Sequence, residues 1–94
     1  MPDKLEFTLP ESLTIAQAHA LHDELEALIE KKEADELVLH ASNVGRADTA
    51  GMQLMLALVR FGKERQMSIS WDQPSEKIIS AAKILGIHSE LGLH

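Results

Sequence analysis

Asp48, Thr49, Ala50 and Gly51 stand at the mouth of the chain's most apolar segment, within VGRADTAGMQLML from Val44 to Leu56. An aspartate beside a hydroxyl can serve several chemistries. With His40 upstream, the residue types are those of a hydrolytic triad. Triads are defined by geometry, however, and the nucleophile elbow G-x-S-x-G is absent. A chain this small also has little room for a substrate cleft. The second use is structural. Asp or Thr before a helix accepts a backbone N–H and contributes about 1 kcal/mol as an N-cap, and Gly51 permits close approach of another backbone. One cap needs one residue, so a second reading leaves the Thr49 hydroxyl facing solvent for recognition or modification. A phosphate there would meet free N–H groups and the positive end of a helix dipole, and would add ≈ −1.5 to −2 charges to a surface bordered by apolar side chains.

Other candidates carry less. An Asp48 that accepts a phosphoryl group, as in response-regulator receivers, would need an acidic cluster closing the first strand, and TLPES supplies only Glu11. His19 and His22 lie three apart on a predicted helix with Glu26 four residues further on, but no additional ligand has a recognisable metal spacing to them. Surface histidines explain the pair as well. No metal or cofactor is expected.

The elements that must position these residues follow from the pattern of apolar positions. The chain has 94 residues, 45% of them hydrophobic, enough for one core and too few for two. We therefore expect a single domain over 1–94. Aromatics are limited to Phe7, Phe61 and Trp71, so aliphatic side chains must fill that core. With 15 acidic and 9 basic residues the formal net charge is −6, and no basic stripe with stacking aromatics suggests a nucleic-acid partner. Cysteine is absent, which excludes disulfides and thiolate metal sites. The start MPDKLEF lacks the pattern of a signal peptide, and no apolar run approaches the ~20 residues that span a bilayer. The expectation is a cytoplasmic protein without direct membrane insertion.

Leu5, Phe7 and Leu9 alternate with polar residues as in a half-buried strand that Pro10 stops. Thr14 is placed to cap a helix from Ile15 to Lys31, whose inner stripe is Ala18, Leu21, Leu25 and Leu28. The run Leu37-Val38-Leu39 predicts a central strand. After the loop SNVGRAD, a second helix from about Thr49 to Arg65 carries two apolar stripes: Met52, Met55, Leu56 and Val59, then Leu54, Leu58 and Phe61. Met67, Ile69 and Trp71 alternate as an outer strand. A third helix opens at Pro74-Ser75, closes at Gly86 and turns Ile78, Ala82 and Leu85 inward. HSELGL suits a last helical turn. The order β-α-β-α-β-α predicts an α/β fold, a small, mostly parallel or mixed sheet with its helices mainly on one face.

On these residues the chain resembles the STAS domain family, shared by bacterial anti-sigma factor antagonists and the cytoplasmic tails of sulfate transporters. The segments that carry the resemblance are ELVLHASNVGRADTAGMQLMLALVRFGKERQMSISW and PSEKIISAAKILGIHSEL, with Asp-Thr-Ala-Gly between strand and helix and Leu85-Gly86-Ile87 ending the third helix. The resemblance spans Leu5 to Leu91. It implies a regulatory, non-enzymatic protein-binding module with Asp48, Thr49, Ala50, Gly51 and Met52 at its docking site. Asp48 would orient the hydroxyl, and Gly51 would keep the surface low. In antagonists the hydroxyl residue, here Thr49, is phosphorylated by a serine/threonine kinase of the histidine-kinase-like ATPase fold, itself the anti-sigma factor, and phosphorylation releases that partner.

Two departures shift the emphasis. Thr49 replaces the usual serine, and a single strand precedes the first helix where many members have two. Both features are closer to lone STAS proteins of chemotaxis systems and to the small STAS subunit of bacterial lipid-transport ABC complexes. In those complexes the same region contacts an ATPase subunit with no established need for phosphorylation. The resemblance thus implies docking through the Thr49 region more strongly than it implies phosphorylation.

Overall fold

A computed structural model describes residues 4–31 and 33–93. The elements in chain order are β1 (Lys4–Thr8), β2 (Ser12–Leu13), α1 (Ile15–Lys31), β3 (Glu36–His40), β4 (Arg46–Ala47), α2 (Thr49–Glu64), β5 (Ser68–Asp72), α3 (Glu76–Leu85) and α4 (His88–Leu91). β3 lies between β1 and β5, and both pairings are parallel. Its apolar run earns the centre: Leu37 and Leu39 are fully buried and Val38 nearly so. Every strand pairing among the described residues is parallel, so the mixed sheet held open by the sequence is not formed.

Strand parity sorts the sheet into two faces. The register aligns Leu5, Leu37 and Ile69 in one row and Phe7, Leu39 and Trp71 in another. These rows join one hydrophobic cluster with Leu21, Leu25 and Ile29 of α1, Met52, Met55, Leu56, Leu58 and Val59 of α2, Ile78 and Ala82 of α3, and Leu91 of α4. All four helices therefore cover the same face, as expected from the two alternating strands. The opposite face aligns Lys4, Glu36 and Ser68, then Glu6, Val38 and Ser70, then Thr8, His40 and Asp72. It is polar apart from Val38, which stays outside the core cluster.

The helices end where local chemistry stops them. Asp48 caps α2 and Ser75 caps α3, each through a side-chain oxygen that takes a backbone N–H of the first turn. Gly86 ends α3 in the left-handed region, φ 72°, which costs glycine little. α2 stops one residue short of the expected Arg65, which is its C-cap and lies with its guanidinium over the Phe61 ring. In α1 the inner stripe closes on Ile29 rather than Leu28, which is half-buried. Within the second stripe of α2, Leu58 is fully buried while Leu54 and Phe61 are half-covered. The Trp71 indole N–H donates to the Leu91 carbonyl at 2.8 Å and ties β5 to α4.

The two-residue strands β2 and β4 have no counterpart in the sequence reading, and β2 corrects it: two strands, not one, precede α1. They pair Ser12 with Arg46 and Leu13 with Ala47 in parallel register. Glu11 reinforces the join, its carbonyl accepting from the amides of Gly45 (2.8 Å) and Arg46 (3.2 Å). Two residues are too few to show a period, so nothing in the sequence marks them. This small ribbon brings the start of α1 against the start of α2.

Candidate functional site

Asp48 is the hinge of the site. Its Oδ1 accepts from the Gly51 amide at 2.7 Å, and its Oδ2 accepts from the Ile15 amide at 3.1 Å. One carboxylate thus caps two helices that start 34 residues apart, placing its negative charge at both positive dipole ends. Thr14 has the backbone position of a cap, its carbonyl accepting from Gln17 and Ala18, but its hydroxyl donates to the Gln17 side chain. The Ile15 amide is served from across the fold instead.

With both its oxygens so engaged, Asp48 does not hold the Thr49 hydroxyl as the resemblance implied. Thr49 is the first residue of α2 and is exposed. Its side chain makes no hydrogen bond to any other described residue, and the amides of Thr49 and Ala50 also lack partners among the described residues. Ala50 is half-buried. Gly51 is buried: a Cβ there would lie 1.9 Å from the Leu13 carbonyl oxygen. The glycine therefore admits β2, not a partner. Met52 is a correction too. It is fully buried in the core cluster and presents nothing to a docking surface.

Two residues that sequence reasoning left out complete the site. Among the described residues, the large hydrophobic side chains that stand exposed are Ile15, at 52%, and Ile84, at 85%. Ile15 is joined to Asp48 through its amide. Ile84 lines a groove of about 270 Å³ with Ala47, Asp48, Thr49, Ala81 and Leu85. Ile84 thus borders Thr49, while Ile15 stands at the start of α1, which Asp48 joins to the start of α2. The signal was present for Ile84, an isoleucine off the inner stripe of an amphipathic helix, but single exposed apolar residues are common enough to pass unremarked.

The histidines are placed elsewhere. His40 sits between two carboxylates, Nδ1 at 2.8 Å from Asp72 Oδ2 and Nε2 at 2.8 Å from Glu6 Oε1, so neither ring nitrogen serves Thr49. Its hydrogen bonds to Asp72 and then to Glu6 raise its pKa above the ordinary 6.5, against an opposing effect of desolvation. His22 lies 3.9 Å from both Asp23 and Glu26, and His19 is exposed. Among the described residues no group of three or more His, Cys, Asp or Glu side chains is arranged to hold a metal ion. No helix among them is long and apolar enough to cross a membrane.

A parallel sheet covered by helices on one face, with a hydroxyl residue displayed at the start of the second long helix, defines a class of small α/β binding domain. A family model described as "Mlab, STAS domain" matches residues 2–93, and the chain belongs to the STAS family. It is a protein-interaction module of the STAS type. The NMR structure of the protein TM1081 superposes with a TM-score of 0.81 at 14% identity, covering 100% of this chain and 75% of that one, which extends the likeness to the fold. A comparison with curated proteins finds no match.

Proposed function

We propose that this STAS domain is a regulatory, non-enzymatic module that docks a protein partner on the patch formed by Ile15, Asp48, Thr49 and Ile84. The observation that carries the reading is the highly exposed Ile84 in the groove it shares with Thr49, with the exposed Ile15 at the helix start that Asp48 ties to the same region. Covering a fully exposed isoleucine is worth about 1.5–3 kcal/mol, so Ile84, at 85% exposed, supplies most of the apolar affinity, Ile15 supplies less, and Thr49 supplies a polar contact beside Ile84. The partner is an ATPase: a serine/threonine kinase or anti-sigma factor of the histidine-kinase-like fold, or the ATPase or chemotaxis component of a larger assembly.

Phosphorylation of Thr49 would switch this docking off. The unpartnered Thr49 and Ala50 amides favour a phosphate at the helix start. The added charge would have to be desolvated against isoleucine side chains, which is costly. The second reading is a constitutive accessory subunit in which Thr49 is a contact only. It rests on Thr49 lining the groove beside Ile84, where its hydroxyl can serve as a contact without modification.

Affinity-tagged wild type, Ile84→Glu and Thr49→Glu, purified from native cytoplasm with phosphatases inhibited, test both readings. We expect wild type to retain a stoichiometric partner and Ile84→Glu to lose at least about tenfold in affinity, the scale of ~1.4 kcal/mol. Equal retention by Ile84→Glu overturns the patch. A phosphorylated Thr49 peptide, with weakened retention by Thr49→Glu, supports the switch. Unmodified Thr49 in every growth condition, with constant stoichiometry, supports the constitutive subunit.

A further inference from the structure

His40 closes β3 on the face of the sheet that no described helix covers, and its ring reaches both neighbouring strands. Nδ1 meets Asp72 at the end of β5, and Nε2 meets Glu6 of β1, each at 2.8 Å. A neutral imidazole has one N–H and one lone pair. It can satisfy one of these carboxylates, and it then aims its lone pair at the other. Only the protonated ring donates to both. The three-strand bridge is therefore a structure of the charged form.

The strand ends it joins lead directly to the docking patch. Leu9, just past β1, donates its amide to the His40 carbonyl at 2.8 Å, and the chain continues through β2 to Ile15. Ala41 follows His40, donates to the Asp72 carbonyl at 3.1 Å and accepts from the Ser75 amide at 3.3 Å. From Ala41 the chain runs to Asp48 and Thr49, and from Ser75 it enters α3 and Ile84. The side chains of Glu6, His40 and Asp72 thus brace, from outside the sheet, the segments that converge on Thr49.

We propose that His40 is a proton-operated clasp: charged, it locks the C-terminal ends of β1, β3 and β5 together, and on losing its proton it frees one strand end and loosens the docking patch. The consequence for docking rests on the function proposed above; the clasp itself does not. The charges facing the ring are Glu6 from β1 and Asp72 from β5. Further along the same face Glu36 accepts from the Ser70 hydroxyl at 2.7 Å, in the row that also holds Lys4. No described helix contributes a charge, because none packs on this face.

The full chain without any partner provides the test. Imidazole resonances are followed by NMR through the titration of His40, with urea unfolding at each pH for wild type and His40→Gln. Exchange at the Leu9, Ala41 and Ser75 amides is corrected for the intrinsic effect of pH. We expect His40 to titrate above the ordinary 6.5. We further expect a fall in the wild-type urea midpoint and a loss of protection at those amides as the proton leaves. Relative to wild type, His40→Gln should lose this pH dependence, and Asp72→Asn should lower the His40 midpoint even if His40→Gln folds poorly. An ordinary His40 titration, equal pH slopes in wild type and His40→Gln, or protection unchanged across the titration would each overturn the clasp. Failure of the docking reading appears separately, in partner retention by Ile84→Glu.

Discussion

Asp48 shows how much one side chain can organise when its two oxygens serve different helices. Replacing it with alanine orphans the Ile15 and Gly51 amides together. At about 1 kcal/mol for a lost cap, Asp48→Ala should cost about 2 kcal/mol in chemical denaturation. Asp48→Asn keeps one acceptor and turns an N–H toward the other amide, so its cost should be about half. Equal costs for the two variants would contradict the double cap. Gly51 is bound to the same geometry. Its Cβ would fall 1.9 Å from a backbone carbonyl, a clash that no rotamer relieves. Gly51→Ala should therefore destabilise by more than the ~1–3 kcal/mol typical of overpacking and loosen β2 from β4, seen as lost amide protection at Gly45 and Arg46. The cap and the glycine were legible in Asp-Thr-Ala-Gly because both act locally. The second helix served by Asp48 was not legible, since only the folded chain brings Ile15 to it.

At the scale of elements, pattern was informative wherever an element was long enough to repeat. α1, α2 and α3 begin and end within a residue of their expected bounds because capping residues and apolar spacing agree. α2 carries two apolar stripes because it is wedged among α1, α3, α4 and β5. Leu58, on the second stripe, is as deeply buried as any residue of the first. Leu58→Ala should cost about 2–5 kcal/mol through lost transfer energy and the cavity left behind, read as a lower urea midpoint. A loss below ~1 kcal/mol would mean that this stripe is superficial. The β2–β4 ribbon was illegible for the opposite reason. Its residues, Ser12, Leu13, Arg46 and Ala47, are strands only because each pair finds the other. Its consequences reach furthest, since it joins the starts of the two helices that frame the proposed docking patch.

For the molecule as a whole, the division between a helix-covered face and a bare polar face separates two duties. The covered face stores stability in aliphatic contacts, which are insensitive to pH. The bare face carries the titratable clasp. The sign of its effect follows from the raised pKa of His40. The folded form holds the proton more tightly than the unfolded chain does. The contribution of His40 is thus fully present below about pH 6.5, the unfolded value, and declines as pH rises through the higher folded value. Stability should fall across that window on the alkaline side, with His40→Gln showing the smaller slope. The sequence placed His40 at a strand end but gave no hint of its partners, because Glu6 and Asp72 are 34 and 32 residues distant and meet it only through parallel register.

The proposed docking patch draws Ile15, Thr49 and Ile84 from three separate parts of the chain. No fragment emerging early from the ribosome can display it. A nascent chain that has made β1 and α1 exposes Ile15 alone, and one that has reached α2 still lacks Ile84. Contacts this far apart in sequence form only after long loops have closed, which is slow relative to local structure. A partner that binds the proposed patch would thereby be matched to finished molecules, and the same three side chains would also report that folding is complete.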